Sequence, residues 1–397
     1  MKRVFISAIF LAGLLLASCE SSKVEEPKVE EPKVNEFEIK EDELVTSQNF
    51  LDGKLLLTFA GDIMAHSENT RGNFQDIYTE IEDIIKQAAF SFANLETSVD
   101  DKKDFSSYPR FSVKESYADA AIEAGFNVFS LVNNHCNDFG KAGLESTRKY
   151  FERKQNQLNA QNKELYFAGI KKHKGEQIEF IPIEKDGWRI LFAAVTELAN
   201  QWTDIEYFDF LKPAKKEREK FLELIKQKKT ECDLLILSFH CAEEEYVLTI
   251  AENQKKFYHA LIDSGVDVLW INHPHVAKEW ELISYDGVPR KIIFYAMGNT
   301  ISGQRRNPEF SNPANRREYT GDGYVSQVAF EKDSGGAKIS WVNPVLVTTL
   351  ITDEKYFVIK KLNDEFLNTL EETSKWKPYL SERKRLMEQI KGKNRCQ

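Results

Sequence analysis

The chain has 397 residues, 42% of them hydrophobic and 29% charged, a composition of one large globular domain or two smaller ones. Its formal net charge of −9 becomes about −11 once Lys2 and Arg3 leave with the leader described below, which excludes a general nucleic-acid binder. Five cysteines in a chain this long exclude a disulfide scaffold.

The chain opens on Lys2-Arg3, an apolar run over 4–17 too short for a typical spanning helix, and the small-residue site Leu16-Ala17-Ser18-Cys19. That site resembles the bacterial lipobox. The resemblance implies that residues 1–18 are a lipoprotein signal peptide and that Cys19 becomes the lipidated first residue. The expected location is therefore the cell envelope, extracytoplasmic, with acyl chains as the membrane anchor. Residues 19–50 are polar, rich in Glu and Lys, and repeat Val-Glu-Glu-Pro-Lys at 24–28 and 29–33. They cannot bury enough apolar area to offset the entropy of ordering, so they are predicted to form a disordered, Pro-stiffened tether.

From residue 51 onward strand-like and helix-like patterns alternate. Strands are predicted over 55–60, 89–93 and 128–132, with helices over 77–87, 116–124 and 141–157 between and after them. Such alternation implies crossover connections and a largely parallel sheet. Runs at 178–182 and 188–195 flank Asp186-Gly187 as a hairpin or as adjacent strands. A charged helix over 215–229, a strand over 234–239, a helix over 252–264 and a strand over 266–271 follow. Two more strands, 280–284 and 291–296, flank Asp286-Gly287. The β-like runs at 325–330 and 337–350 are expected to form a second sheet packed beside the first, in one domain over 51–350. Residues 351–397 read as a helical extension ending in the basic residues Arg383, Lys384, Arg385, Lys391, Lys393 and Arg395, a solvated face or a contact for an anionic membrane.

Five predicted strand ends carry a metal-ligand residue type: Asp62, Glu96, the Asn134-His135 pair, His240, and His273 with His275. Ligands of open α/β sheets gather at the carboxyl ends of strands. Of seven histidines only His173 and His259 lie clear of these motifs; His66 is a reserve ligand. Carboxylate, amide and imidazole donors together suit zinc, manganese or iron better than calcium. Two carboxylates among several histidines predict a pair of divalent ions, and a histidine outside the ligand set is available to protonate a leaving group. Cys136 and Cys241, which follow His135 and His240, read as buried apolar fillers. The long polar loop 303–323 carries Arg305, Arg306, Arg316 and Arg317. It reads either as a solvated excursion or as a flap in which Arg305 and Arg306 bind an anionic substrate, since guanidinium pairs bidentately with carboxylate or phosphate.

The ordered set Gly61-Asp62, Asn94-Leu95-Glu96, Asn133-Asn134-His135, His240 and His273-Pro274-His275, followed by Phe-Tyr-Ala-Met-Gly-Asn at 294–299, resembles the CapA family of capsule or poly-γ-glutamate synthesis proteins over residues 52–305. That family belongs to the calcineurin-like metallophosphoesterase superfamily. The resemblance implies a four-layer α/β/β/α sandwich with a dinuclear metal site. It implies Asp62 as the bridging ligand, Glu96 where the superfamily has a second bridging Asp, and Asn134, His240 and His273 on one ion. His275 would serve the other ion, and His135 would be the general acid. The departure is Met64, where the superfamily often has a histidine; a thioether is a poor ligand for a hard ion. Three functions fit these residues: a membrane-tethered hydrolase or transferase on an anionic envelope polymer, working within an envelope biosynthesis complex; a phosphoesterase on phosphate esters or nucleotides; and a non-catalytic binding lipoprotein.

Overall fold

The computed structural model describes residues 53–390 and 392–396; the leader, Cys19 and the tether lie outside the described residues. The first half of the folded chain builds one sheet. β1 (Leu55–Ile63) is buried at every residue, as a central strand covered on both faces should be. The segment α1 (Glu82–Gln87) then leads to β2 (Phe90–Leu95), followed by the short pair β3 (Ser98–Val99) and β4 (Ser112–Val113). Helix α2 (Glu115–Glu123) precedes β5 (Val128–Ser130), and α3 (Gly140–Asn159) precedes β6 (Tyr166–Ala168). β1, β2, β5 and β6 lie side by side in parallel register, joined by the predicted crossovers.

The second sheet begins with the hairpin of β7 (Ile181–Lys185) and β8 (Trp188–Thr196). Through α4 (Lys215–Lys229), β9 (Leu234–His240), α5 (Glu252–Ser264) and β10 (Val268–Asn272) it continues in parallel, and the hairpin of β11 (Trp280–Tyr285) and β12 (Val288–Phe294) follows. After the short β13 (Asn299–Ile301), β14 (Asp322–Asp333), β15 (Gly336–Ile351) and β16 (Phe357–Lys361) return to the first sheet, whose order is β16-β15-β14-β1-β2-β5-β6. This corrects the reading of 325–330 and 337–350 as a second sheet. They extend the first one, because β14 pairs antiparallel with the free edge of β1, while the second sheet is built from strands within 181–294 and one strand at the C-terminal end. The C-terminal part is also more than a helical extension. Besides α6 (Asp364–Thr369) and α7 (Trp376–Met387) it supplies β16 and β17 (Gly392–Cys396), the latter parallel to β11.

The strands of the second sheet divide their side chains by parity. Phe192, Ile236, Trp270 and Phe294 face the first sheet, where Phe59 lies 6.1 Å from Trp270 and Phe92 lies 5.5 Å from Phe192. Their neighbours Ala193, Leu237, Leu269 and Ile293 face the other way, onto Phe221 of α4 and Leu261 of α5. On the far face of the first sheet Phe129 meets Phe151 of α3 at 5.2 Å. The result is the expected four-layer α/β/β/α sandwich. Trp270 also donates its indole N–H to the Ala60 carbonyl at 2.9 Å, so the two sheets are joined by a buried polar bond two residues before Asp62.

Gly61 is required for close approach. A β-carbon there would lie 1.9 Å from the Gly298 carbonyl oxygen, the same oxygen that accepts from the Asp62 amide at 3.0 Å. Gly61→Ala must push two backbones apart, and overpacking of this kind costs about 1–3 kcal/mol. The expected outcome is a lower melting temperature by calorimetry; an unchanged transition would show that the strands separate freely.

Candidate metal centre

Each candidate ligand sits where a parallel strand ends. Asp62 is near the end of β1, Glu96 just past β2, Asn134 and His135 past β5, His240 is the last residue of β9, and His273 and His275 follow β10. His273 and His275 have φ of 106° and 56°, a left-handed backbone that non-glycine residues adopt at an energetic cost and that turns both rings into the same space. Three overlapping donor groups result: Asp62, Glu96 and His275; Glu96, His240 and His273; and Glu245, His273 and His275, each with ligand atoms within 4.8 Å of one another.

The contacts inside this cluster are short. His275 Nδ1 lies 3.0 Å from Asp62 Oδ2, and His240 Nε2 lies 2.8 Å from Asn134 Oδ1. Asn94 donates to Asp62 Oδ1 at 2.7 Å and to Glu96 at 3.3 Å, and is itself approached by the Asn133 amide at 3.4 Å. Burial holds His240 and His273 well below the usual imidazole range, helped by neighbouring histidines, so both are neutral. Burial pushes Glu96 up, with Asp62 adding to the effect against the opposing pull of His275. Burial alone would lower His275, but the Glu96 and Asp62 carboxylates outweigh it and raise this group to about 9.

These residues fit divalent metal. Glu96 Oε1, His240 Nδ1 and His273 Nδ1 are buried without a hydrogen-bond partner; Asp62 and Glu96 face His275 at 3.0 and 3.6 Å, and no lysine or arginine among the described residues pairs with either. Orphaned donors of this kind are costly unless a cation is their partner. Met64 is buried, and its sulfur accepts from the Gln304 amide at 3.8 Å. His66 falls in none of the three groups; its Nδ1 accepts from the Gly303 amide at 3.2 Å, and burial lowers it to about 4.

His135 stands beside the cluster rather than in it. Its Nδ1 lies 2.8 Å from Asp138 Oδ2, which also accepts from the Phe111 amide, and its ring packs edge-on against Phe111 at 4.6 Å. Asn200 approaches the ring at 3.2 Å and the Asn134 amide at 3.3 Å. A cavity of about 650 Å³ opens here, lined by Asn134, Asn200, His273, Tyr246 and Glu245 together with Asn315, Arg316 and Arg317.

The loop arginines divide differently from the sequence reading. Arg305 is enclosed: its guanidinium donates to Asp322 at 2.6 Å, to Thr348 at 2.7 Å and to the Thr349 carbonyl, which leaves it no substrate to bind. Arg306 is exposed, pairs with Glu68 at 2.9 Å and does not line the cavity. Arg316 and Arg317 take that place. Arg383, read as part of a solvated basic face, is fully buried against Asp322. Cys136 and Cys241 are free and buried, with thiols pushed up to about 12 by burial, as inert fillers should be. Asp138, Asn200 and Glu245 carried weak signals: a carboxylate three residues after His135, an amide in a polar insertion, and the end of a glutamate run.

The family model described as bacterial capsule synthesis protein PGA_cap matches residues 56–304, well over half of the chain. The capsule biosynthesis protein CapA of Bacillus anthracis is 28% identical over 263 residues, 63% of this chain and 60% of that protein. The PGA biosynthesis protein CapA of Bacillus subtilis (strain 168) is 23% identical over 273 residues, 65% of this chain and 66% of that one, so the match spans less than two thirds of either relative. Among solved structures, the calcineurin-like phosphoesterase YfkN from Bacillus subtilis aligns over 84% of this chain and 99% of its own, at 12% identity and a TM-score of 0.41. The matched span contains every candidate ligand from Asp62 to His275 and stops short of Arg316 and Arg317, and on that match the chain belongs to the PGA_cap family of bacterial capsule synthesis proteins.

Proposed function

We propose that this protein is a metal-dependent hydrolase or transferase acting on an anionic envelope polymer, poly-γ-glutamate or a related capsule precursor, while tethered to the membrane through Cys19. The observation that carries this reading is the cavity itself, which metal-ligating side chains and guanidinium groups line together. Asp62, Glu96, Asn134, His240, His273 and His275 would hold two divalent ions, manganese, zinc or iron by donor type. Metal bound there supplies Lewis-acid activation of water and of the scissile group.

The chain's own residues do the rest. Asp138 fixes the His135 ring through Nδ1, and Nε2, which the Asn200 side chain approaches at 3.3 Å, is the atom that would hand a proton to the leaving group. Arg316 is committed to the protein: it donates to the Glu245 and Tyr246 carbonyls and pairs with Glu244 at 3.3 Å. Arg317 has no counter-ion among the described residues and is therefore the guanidinium free to pair with a carboxylate or phosphate of the substrate.

Charge-assisted hydrogen bonds contribute roughly 1.5–3 kcal/mol, so Arg317→Ala should raise KM for γ-linked glutamyl oligomers about 10- to 100-fold with little change in kcat. Steady-state kinetics on those oligomers and on a panel of phosphate esters tests both parts. An unchanged KM removes Arg317 from recognition, and turnover confined to phosphate esters moves the protein to the phosphoesterase reading.

A further inference from the structure

We propose that Glu245 is a ligand of this metal centre, the carboxylate that joins the Asp62 side of the cluster to the His273 side. The proposal rests on the metal-dependent reading above and extends its ligand set by a residue outside every strand-end motif.

Three consecutive glutamates follow β9, and the structure gives each a different partner. Glu243 is buried, bonded to Lys278 at 2.6 Å and to the Tyr258 hydroxyl at 2.6 Å. Glu244 is exposed and pairs with Arg316 at 3.3 Å. Glu245 has no lysine or arginine partner among the described residues; its carboxylate faces the rings of His273 and His275, within 4.8 Å of both. It is half-buried, and close enough to Glu96 and His275 to act on both electrostatically. Asp62, Glu96 and Glu245 thus converge on two histidines, with His275 3.0 Å from Asp62 and 3.6 Å from Glu96 and no lysine or arginine among the described residues paired with any of the three carboxylates, a donor set that a divalent ion satisfies. His273 Nδ1 is also buried without a hydrogen-bond partner.

The backbone around Glu245 is fixed rather than loosely solvated. Tyr246 has φ of 63°, and its amide donates to the Pro274 carbonyl at 2.9 Å, binding this segment to the turn between the two histidines. The Glu245 carbonyl accepts from Arg316 at 2.8 Å. Gln304 donates to the Tyr246 hydroxyl at 3.3 Å and to the Met64 sulfur, so that thioether is already occupied by an amide. A hard carboxylate, not the thioether, is the remaining donor on this side. The set Asp62, Glu96, His275 and Glu245 is rich in oxygen and favours manganese over zinc at that position.

The test is Mn²⁺ and Zn²⁺ binding to the metal-stripped full-length chain in detergent, by calorimetry and elemental analysis, for the wild type, Glu245→Gln and Glu245→His, with circular dichroism to compare folds. Loss of even supporting groups around a metal costs 10- to 100-fold in affinity, so Glu245→Gln should weaken one Mn²⁺ by about 100-fold or more. Glu245→His, which restores a donor of the softer kind, should recover Zn²⁺ binding and leave Mn²⁺ weak. Wild-type stoichiometry and affinity in Glu245→Gln would overturn the assignment, as would a Glu245→His variant no better for Zn²⁺ than Glu245→Gln. A wild-type chain that binds no Mn²⁺, Zn²⁺ or Fe²⁺ would instead overturn the metal-dependent reading itself.

Discussion

Asp62→Asn should strip most of the divalent metal from the protein and lower turnover by on the order of 10³, the scale on which removal of one preorganised electrostatic group acts and on which metal activation is lost. Asp62 is singled out because both of its oxygens are engaged at the junction of the cluster. Oδ1 accepts from Asn94, and Oδ2 accepts from the His273 amide at 3.4 Å and meets His275 at 3.0 Å. The asparagine keeps the shape and one acceptor while removing the charge, so the buried strand end is preserved. The metal content per chain, measured beside turnover, separates the outcomes. Retention of wild-type metal with lost turnover would assign Asp62 to the reacting groups; retention of both would remove it from the centre.

The same site shows how far the sequence could be read. Each ligand at a strand end was visible because a buried apolar run meets a polar residue at or near the strand's end: Asp62 is the next-to-last residue of β1, and β9 ends in His240. Period and composition report such local events directly. What they do not report is which distant segments meet. β14 and β15 look like any other strands, and only their pairing with the free edge of β1 puts them in the first sheet. The arginines failed for the same reason. Arg305 and Arg306 are adjacent to a site motif in the chain, yet Arg305 points into the protein toward Asp322, while Arg316 and Arg317 return to the cavity after the loop has turned. Glu245 was hidden by its neighbours, since a run of three glutamates reads as a solvated loop until their partners are seen separately.

The fold itself should depend on a carboxylate far from any metal. Asp322 lies between two buried guanidiniums, 2.6 Å from Arg305 and 2.6 Å from Arg383, and also accepts from Thr348 at 2.6 Å. Arg383 reaches α7 across to the loop, donating to the Pro313 carbonyl at 2.7 Å, and Tyr379 of the same helix donates to Glu318. Removing one partner of a buried ion pair leaves an uncompensated charge and costs about 3–5 kcal/mol. Asp322→Ala, which strands both arginines, should fall at or beyond the upper end of that range and lower the melting temperature accordingly. The pH dependence follows from the same contacts. Burial alone would raise the Asp322 carboxyl, but Arg305 and Arg383 outweigh it and hold the group below its ordinary 3.8. A depressed folded value means the stabilisation is complete above the unfolded value and is lost only as pH falls through the folded one, so the wild type should keep this contribution down to about pH 4. Equilibrium denaturation of wild type and Asp322→Ala from pH 7 downward should show the gap between them narrowing only at the acid end; a gap that closes above pH 5 would mean the pair is not what separates them. A triple replacement, Arg305→Met, Asp322→Leu and Arg383→Met, exchanges the ion network for apolar volume and is expected to recover much of the lost stability. If its KM for the anionic substrate still rises as in Arg317→Ala, the network serves to hold the loop that carries Arg316 and Arg317 against the cavity; if KM stays at the wild-type value, the network acts on stability alone.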